Sequence, residues 1–173
     1  MDSGRLILVD EFGVHLAMTR THARAPAGVR AEVTETFERG SKLSAISALG
    51  RRGVFAPMVI EGSFDHEVFE HYVEFFLVPH LLPGDRVMLD NIKFHDSPRA
   101  ISLIESAGAS VEHFPSYSPD FNPIEECISK IKTILRTLKA ETERALLKAF
   151  AKALEKVSLS DILGWFRHCG YSV

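Results

Sequence analysis

Apolar and alternating stretches in the first third of the chain predict β-strands. Residues 5–9 (RLILV) form an apolar run, and residues 10–13 (DEFG) have the composition of a turn that ends it. Residues 14–18 (VHLAM) fit a strand that returns from this turn. Two further strands are predicted at 42–49 and 54–62, on either side of a glycine turn. Together these strands predict a meander.

The pattern changes twice around this meander. Residues 19–39 are polar and contain Pro26 and Gly28, so we interpret them as an irregular excursion between strands. From Ser63 onward the apolar residues recur with the period of a helix, and Ser63 itself fits an N-cap. This helix is expected to end before Pro79, because proline interrupts a helical hydrogen-bond ladder.

The second half of the chain alternates strands with helices and then becomes wholly helical. Strands joined by helices are what parallel pairing requires, so we predict an α/β chain with one mixed central sheet and flanking helices. This order of elements resembles the ribonuclease H-like fold, in a single domain over residues 1–173. The predicted elements are strands at 86–90 and 110–114, a helix at 98–107, and three helical pieces after Pro123 divided near Ala140 and Ser158.

Composition narrows the class of protein. Hydrophobic residues make up 46% and charged residues 25%, as in a soluble globular protein. No apolar run has the length of a membrane span and no secretory signal is visible, so a cytoplasmic location without a membrane partner is expected. The net charge of −3 is unusual for a nucleic-acid-binding protein, and any DNA contact must therefore use local basic patches.

Cysteine and histidine spacing argues against zinc or redox chemistry. Cys127 and Cys169 are the only cysteines and are not at CxxC spacing, so two reduced, buried thiols are expected. The closest histidines, His66 and His71, are five residues apart and do not match the i, i+4 spacing of a metalloprotease helix.

Three carboxylates provide the strongest candidate chemistry. Asp10 and Asp90 each lie at the carboxyl end of a predicted strand, and ligands bind at this end of the strands in open α/β sheets. Glu125 follows Asp90 after an interval of 34 residues, 91–124, which is enough for a helix, a strand and a loop. Converging carboxylates are best explained by hard divalent cations such as Mg²⁺, and two such ions catalyse phosphodiester cleavage or transfer. Each acid alone also fits a turn or a first helical turn.

The segment FPSYSPDFNPIEE, residues 114–126, determines which glutamate is the better candidate. Its turn formers and Pro123 fix the start of the helix that follows. On a helical wheel Glu125 lies on the flank of the apolar stripe, where it can reach the sheet edge, whereas Glu126 is expected to point to solvent. The stripe consists of Ile124, Ile128, Ile131, Leu135 and Leu138, with Cys127 and Ile134 on its margin.

Other polar residues have two interpretations each. Asn91 and His95 are candidates for orienting the carboxylates, although His95 also fits an ordinary loop histidine. Basic residues in the excursion and beside Glu125 are candidates for holding DNA phosphates, but such charges also occur on solvated surfaces. The candidates for DNA binding are Arg20, Arg24, Arg30, Lys130, Lys132 and Arg136.

Three segments resemble the signatures of the DDE transposases, specifically bacterial insertion-sequence transposases related to the mariner superfamily. They are VDEFG at 9–13, LDN at 89–91 followed by His95, and SYSPDFNPIEE at 116–126, and the 34-residue interval is also that of the family. The similarity covers nearly the whole chain. It implies that Asp10, Asp90 and Glu125 are the catalytic triad and bind two Mg²⁺ or Mn²⁺ ions. The implied reaction cuts transposon ends and joins them to target DNA, in the bacterial cytosol or nucleoid.

The same resemblance exposes departures from the family. Relatives usually carry an amino-terminal helix-turn-helix region that reads the transposon ends, and only nine residues precede Asp10, so this region is expected to be absent. The sequence leaves open whether a separate subunit reads the DNA and whether the chain forms a homodimer. The alternative function is a truncated or domesticated remnant that binds DNA or protein without catalysis. The chain also differs from its relatives at four positions. Ala27 replaces a basic residue, Asp96 a lysine, Ser116 a proline and Ile128 a tryptophan.

Overall fold

The computed structural model describes residues 3–16, 18, 24–30, 32, 42–115 and 121–173. Its centre is a five-stranded sheet in the order β3-β2-β1-β4-β5. The strands are β1 (Leu6–Val14), β2 (Leu43–Gly50), β3 (Gly53–Glu61), β4 (Arg86–Leu89) and β5 (Ser110–His113). The helices are α1 (His66–Tyr72), α2 (Pro98–Ser106), α3 (Pro123–Leu138), α4 (Glu143–Glu155) and α5 (Leu159–His168).

The sheet is mixed, as predicted. β1, β2 and β3 pair antiparallel in a meander, whereas β4 pairs parallel with β1 and β5 pairs parallel with β4. The helices form a layer on each face. Even-numbered residues of β1, such as Leu8 and Phe12, pack with α3, α4 and α5, and odd-numbered residues, such as Ile7 and Val9, pack with α1 and α2. β1 is therefore buried on both faces.

β1 is longer than predicted, and the turn predicted at residues 10–13 is wrong. Residues 10–13 do not end the strand, because β1 continues to Val14 and pairs with β2 along its whole length from Ile7 to Val14. Phe12 and Val14 are buried, so tertiary packing overrides the turn-like composition. The second strand predicted at 14–18 is wrong, since residues 15, 16 and 18 lie outside any strand. The predicted excursion falls largely outside the described residues, and residues 24–30 within it form no helix or strand.

α1 differs from its prediction at both ends. The N-cap is Asp65 and not Ser63, since the Asp65 carboxylate accepts a hydrogen bond from the Val68 N–H at 3.0 Å. The helix changes to π-helical hydrogen bonding over Val73–Leu77 and is followed directly by a 3-10 turn over Val78–His80, so the chain stays helical through Pro79, beyond the predicted end. The π-helical turn shifts the side-chain period, which leaves Phe75 59% exposed.

The second half agrees closely with the sequence. β4, β5 and α2 match their predicted ranges to within a residue or two, and Ser97 caps α2 through the Ala100 N–H. The three carboxyl-terminal helices are divided near Ala140 and Ser158, where Ser158 forms a capping box with Asp161. In the described part of the chain, the helices all lack the length and apolar character needed to cross a bilayer.

Candidate active site

Asp10 lies in the middle of β1 and not at its end. It occupies the even-numbered face with Leu8 and Phe12, beneath α3, and is only 9% exposed. The register that pairs Leu8 with Met88 brings Asp10 level with Asp90, two residues further along each parallel strand. The parallel part of the sheet stops there, because β4 ends at Leu89. Asp10 and Asp90 are therefore lateral neighbours, although the reason differs from the predicted one.

Asp90 is held by its own loop. Its Oδ1 accepts a hydrogen bond from the Ile92 N–H at 3.3 Å and lies 2.5 Å from Nδ1 of His95. The short loop between β4 and α2 folds back on the strand end, which places His95 under Asp90. The Asp90 side chain remains 32% exposed, so it faces the surface at the edge of the sheet.

Glu125 comes from the first turn of α3. The helix begins at Pro123, and buried Ile124, Cys127 and Ile128 fix its rotation against the sheet. Glu125 is exposed and near enough to Asp10 and Glu11 to affect the pKa of both. The apolar stripe is as predicted apart from Leu138, which is 42% exposed at the end of the helix, and Cys127, which is fully inside.

The electrostatics show that these carboxylates form one cluster. The pKa of Asp10 is raised from 3.8 to about 8, chiefly by burial and then by the negative charges of Glu11, Glu125 and Asp90, in that order. A hydrogen bond from the Glu11 N–H to Asp10 Oδ1, at 2.8 Å, acts in the opposite direction. The cluster consequently carries more negative charge than its surroundings compensate.

The chemistry of this donor set fits a hard divalent cation. Carboxylate oxygens are the ligands that Mg²⁺ and Mn²⁺ prefer, and a cation would offset the repulsion that raises the pKa of Asp10. Among the described residues, however, no three His, Cys, Asp or Glu side chains stand close enough to form a ready-made metal site. The cluster therefore has suitable ligands, whose side chains must adjust to share an ion.

Glu11 is a member of the cluster, although its sequence context predicts a turn. It lies on the opposite face of β1 from Asp10, and its Oε2 is 3.5 Å from Nε2 of His95. Burial raises the pKa of Glu11, and nearby His95 opposes that shift. The sequence would have indicated the position of Glu11 only if residues 10–13 had been predicted as a strand. A strand places Glu11 on the same face as buried Val9.

His95 and Asn91, the two candidates for orienting the carboxylates, have different surroundings. The His95 side chain is completely buried, with ring centroids of Phe69 and Phe94 at 4.6 and 4.5 Å. Asn91 is exposed, and its Nδ2 donates to the carbonyl oxygen of Phe114 at 2.6 Å. Asn91 thus ties the Asp90 loop to the end of β5, whereas His95 contacts the carboxylates.

Glu126 is not directed freely to solvent as predicted. Its Oε1 lies 3.1 Å from Nδ1 of His168, although the side chain is 42% exposed. The reason is that α5 packs beside α3 and brings its last turn to this glutamate. Glu126 is not among the groups that shift the pKa of Asp10, so it lies apart from the cluster.

The basic candidates are distributed unevenly around the site. Lys132 lies over the ring of Phe12 at 5.6 Å, two residues beyond Asp10 on β1. Lys130 is engaged elsewhere, with its Nζ 2.5 Å from Oδ2 of Asp161 in the α5 capping box. Arg136 is half-buried on α3. Arg24 and Arg30 are exposed, and Arg20 lies outside the described residues.

Sequence comparison identifies the family. The sequence model of the DDE superfamily endonucleases matches residues 5–147, a range that includes Asp10, Asp90 and Glu125. The chain belongs to the DDE superfamily endonucleases. No curated protein sequence matches it significantly.

Solved structures of Mos1 transposase share the fold. The Mos1 transposase paired-end complex with left transposon end is 12% identical, with a TM-score of 0.74 over 97% of this chain and 52% of that chain. The catalytic domain of Mos1 mariner transposase is also 12% identical, with a TM-score of 0.70 over 97% of this chain and 76% of that one. The chain thus spans about half the length of the Mos1 chain in the paired-end complex. The likeness confirms the ribonuclease H-like fold expected from the element order.

Proposed function

We propose that this chain is the catalytic domain of a DDE transposase, which cuts DNA strands at transposon ends and joins them to target DNA. The observation that carries the proposal is the carboxylate cluster of Asp10, Asp90 and Glu125, in a chain that belongs to the DDE superfamily endonucleases. The Mos1 catalytic domain has been solved with Mg and with Mn, and Mos1 has been solved with transposon-end DNA. We extend both the metal and the DNA to this chain.

The three acids would hold two Mg²⁺ or Mn²⁺ ions. When bound, such ions activate a water or a 3′-hydroxyl for attack at phosphorus and stabilise the leaving oxygen. The chain supplies rigidity, because Asp10 is fixed in a strand that pairs with β2 at Asp10 itself and with β4 just before it. Asp90 is oriented by Ile92 and His95, and Glu125 is carried by the first turn of α3.

DNA is proposed to lie across the exposed edge of this cluster. Asp90 and Glu125 reach the surface there, and Lys132 and Arg136 follow Glu125 along α3. Exposed Arg24 and Arg30 are proposed as further phosphate contacts, and Arg20 is retained with them on sequence grounds. Lys130 contributes less in this proposal, because its ammonium group is paired with Asp161.

The decisive experiment compares two adjacent glutamates. Wild type, Glu125→Gln and Glu126→Gln are incubated with DNA carrying the sequence that flanks the gene, in Mg²⁺, Mn²⁺ or EDTA. We expect metal-dependent strand cleavage by wild type and by Glu126→Gln, and none by Glu125→Gln, while all three bind DNA equally. Cleavage by Glu125→Gln at the wild-type rate would overturn the assignment of Glu125. Absence of cleavage by the wild type in either metal would contradict the proposed activity of this chain.

A further inference from the structure

We infer that Glu11 is a positioning residue, which fixes the ring of His95 so that His95 orients Asp90 in the candidate metal site. The inference rests on the proposed function, because it assigns Asp90 a cation to bind. It adds a residue on the far face of β1 to a site whose candidate ligands are Asp10, Asp90 and Glu125.

The ring of His95 lies between two carboxylates from neighbouring strands. Nδ1 is 2.5 Å from Oδ1 of Asp90 and 3.4 Å from the Asp90 carbonyl oxygen, and Nε2 is 3.5 Å from Oε2 of Glu11. Glu11 belongs to β1 and Asp90 follows β4, so the histidine links the two central parallel strands at the point where their pairing ends. Rotation of the ring about its Cβ–Cγ bond would move both nitrogens away from the two carboxylates.

Two buried atoms without hydrogen-bond partners indicate that Glu11 and His95 interact. Within the described residues, Glu11 Oε2 and His95 Nε2 are both buried and both lack a hydrogen-bond partner, yet they face each other. A buried polar atom without a partner is costly, and a closure of less than about 1 Å would bring this pair to hydrogen-bonding distance. A single shared proton would satisfy both atoms. Phe69 and Phe94 pack on the ring and restrict its movement.

As a result, the two carboxylate oxygens of Asp90 have different roles. Among the residues that the structure describes, its contacts with Ile92 and His95 both use Oδ1. Oδ2 is thereby left for a cation, in an orientation that the buried ring maintains. Groups that orient metal ligands in this way typically contribute about 10- to 100-fold to metal affinity. Glu11 would act on Asp90 through its contact with His95, and its charge, which also affects Asp10, is a separate effect that the variants must distinguish.

The test measures metal binding and not DNA cleavage. Mn²⁺ is titrated calorimetrically into wild type and three Glu11 variants at constant pH, and thermal unfolding of each is measured in EDTA. We expect Glu11→Ala to bind Mn²⁺ about 10- to 100-fold more weakly. Glu11→Asp keeps the charge but is one methylene too short to reach His95, so it should be nearly as weak. Glu11→Gln keeps the length and one hydrogen bond, and should recover part of the loss.

The matched control is Glu126→Ala, because Glu126 also pairs with a histidine, His168, but lies outside the carboxylate cluster. Its Mn²⁺ affinity should equal that of the wild type. Wild-type affinity in Glu11→Asp would overturn the inference while leaving the metal site intact. Absence of Mn²⁺ binding by the wild type would overturn the proposed metal site, and this inference with it. If Glu11→Ala is unfolded in EDTA, the comparison of Glu11→Asp with Glu11→Gln decides.

Discussion

Asp10 and Asp90 stand level with each other on neighbouring parallel strands, although one is in mid-strand and the other follows a strand end. The register of Leu8 with Met88 establishes this, and β1 continues beyond it paired only with β2. A carboxylate in such a position is enclosed by the sheet below and by α3 above. Its burial is the main reason that the pKa of Asp10 is raised to about 8.

The first prediction concerns stability against pH without metal. Folding raises the pKa of Asp10 from 3.8 to about 8, so the folded state binds the proton more tightly than the unfolded state does. The stabilising contribution of the protonated acid is complete below about pH 4 and is lost as pH rises through about 8. Asp10→Asn should remove this part of the pH dependence and raise the melting temperature at pH 8 in EDTA. An unchanged pH profile in Asp10→Asn would contradict the assignment.

The second prediction concerns divalent cations. An ion that binds only the folded state stabilises it by about 2.7 kcal/mol at a concentration of 100 times its Kd. Mg²⁺ or Mn²⁺ at millimolar concentration should therefore raise the melting temperature of the wild type at pH 8. Asp90→Asn should reduce the shift strongly, whereas Glu112→Gln, which alters only a surface ion pair with Arg86, should not. A wild type that shows no shift in either metal would argue against a working site.

Local sequence signals are sufficient to predict a large part of this structure. Ser97 and Pro98 are sufficient to start α2, and Pro123 is sufficient to start α3, because caps and first-turn prolines act within a few residues. The position of Asp90 after a strand is predictable for the same reason, since β4 ends beside a turn-rich loop. The three carboxyl-terminal helices also follow from apolar period and caps alone.

The predictions fail where distant parts of the chain decide the structure. Residues 10–13 have a turn-like composition, and only pairing with β2 and burial of Phe12 keep them extended. That composition also conceals the position of Glu11. A helical wheel directs Glu126 to solvent because it represents one helix only, and the partner His168 is 42 residues away on α5. Side-chain partners across helices cannot be inferred from the period of one helix.

The third prediction separates two lysines on α3. Lys130 pairs with Asp161, whose pKa is lowered to about 2 by hydrogen bonds from Lys130 and Ser158. Lys130→Ala should therefore lower the free energy of unfolding by up to about 1 kcal/mol, as expected for a partly exposed ion pair, and change DNA affinity little. Lys132→Ala should instead weaken DNA binding, and its loss of stability should be limited to the contact with the Phe12 ring, about 0.5 to 1 kcal/mol. Urea unfolding and DNA titration of both variants test this, and the opposite pattern would exclude Lys132 from the DNA surface.

The fourth prediction follows from the same pair and concerns acid. Because folding lowers the pKa of Asp161 from 3.8 to about 2, its contribution to stability is present above about pH 4 and is lost as pH falls towards 2. Asp161→Asn should remove the lysine pairing and weaken the cap of α5, so its destabilisation should be greatest near neutral pH and diminish in acid. Unfolding free energies at pH 7 and pH 3 measure the difference. An effect of equal size at both values would show that the charge of Asp161 is unimportant.

The last prediction concerns DNA recognition. Phosphate contacts dominate affinity and carry no sequence information, and with a net charge of −3 this chain must rely on a few local cations. Arg24→Ala combined with Arg30→Ala should therefore weaken binding about equally for transposon-end and unrelated DNA. The slope of log affinity against log salt should fall by about 0.9 for each duplex phosphate that the variant no longer neutralises. Arg51→Ala, in the turn between β2 and β3, is the control for charge alone and should leave the slope unchanged. A reduction in affinity confined to transposon-end DNA would instead indicate that Arg24 or Arg30 reads bases, since only base contacts discriminate between sequences.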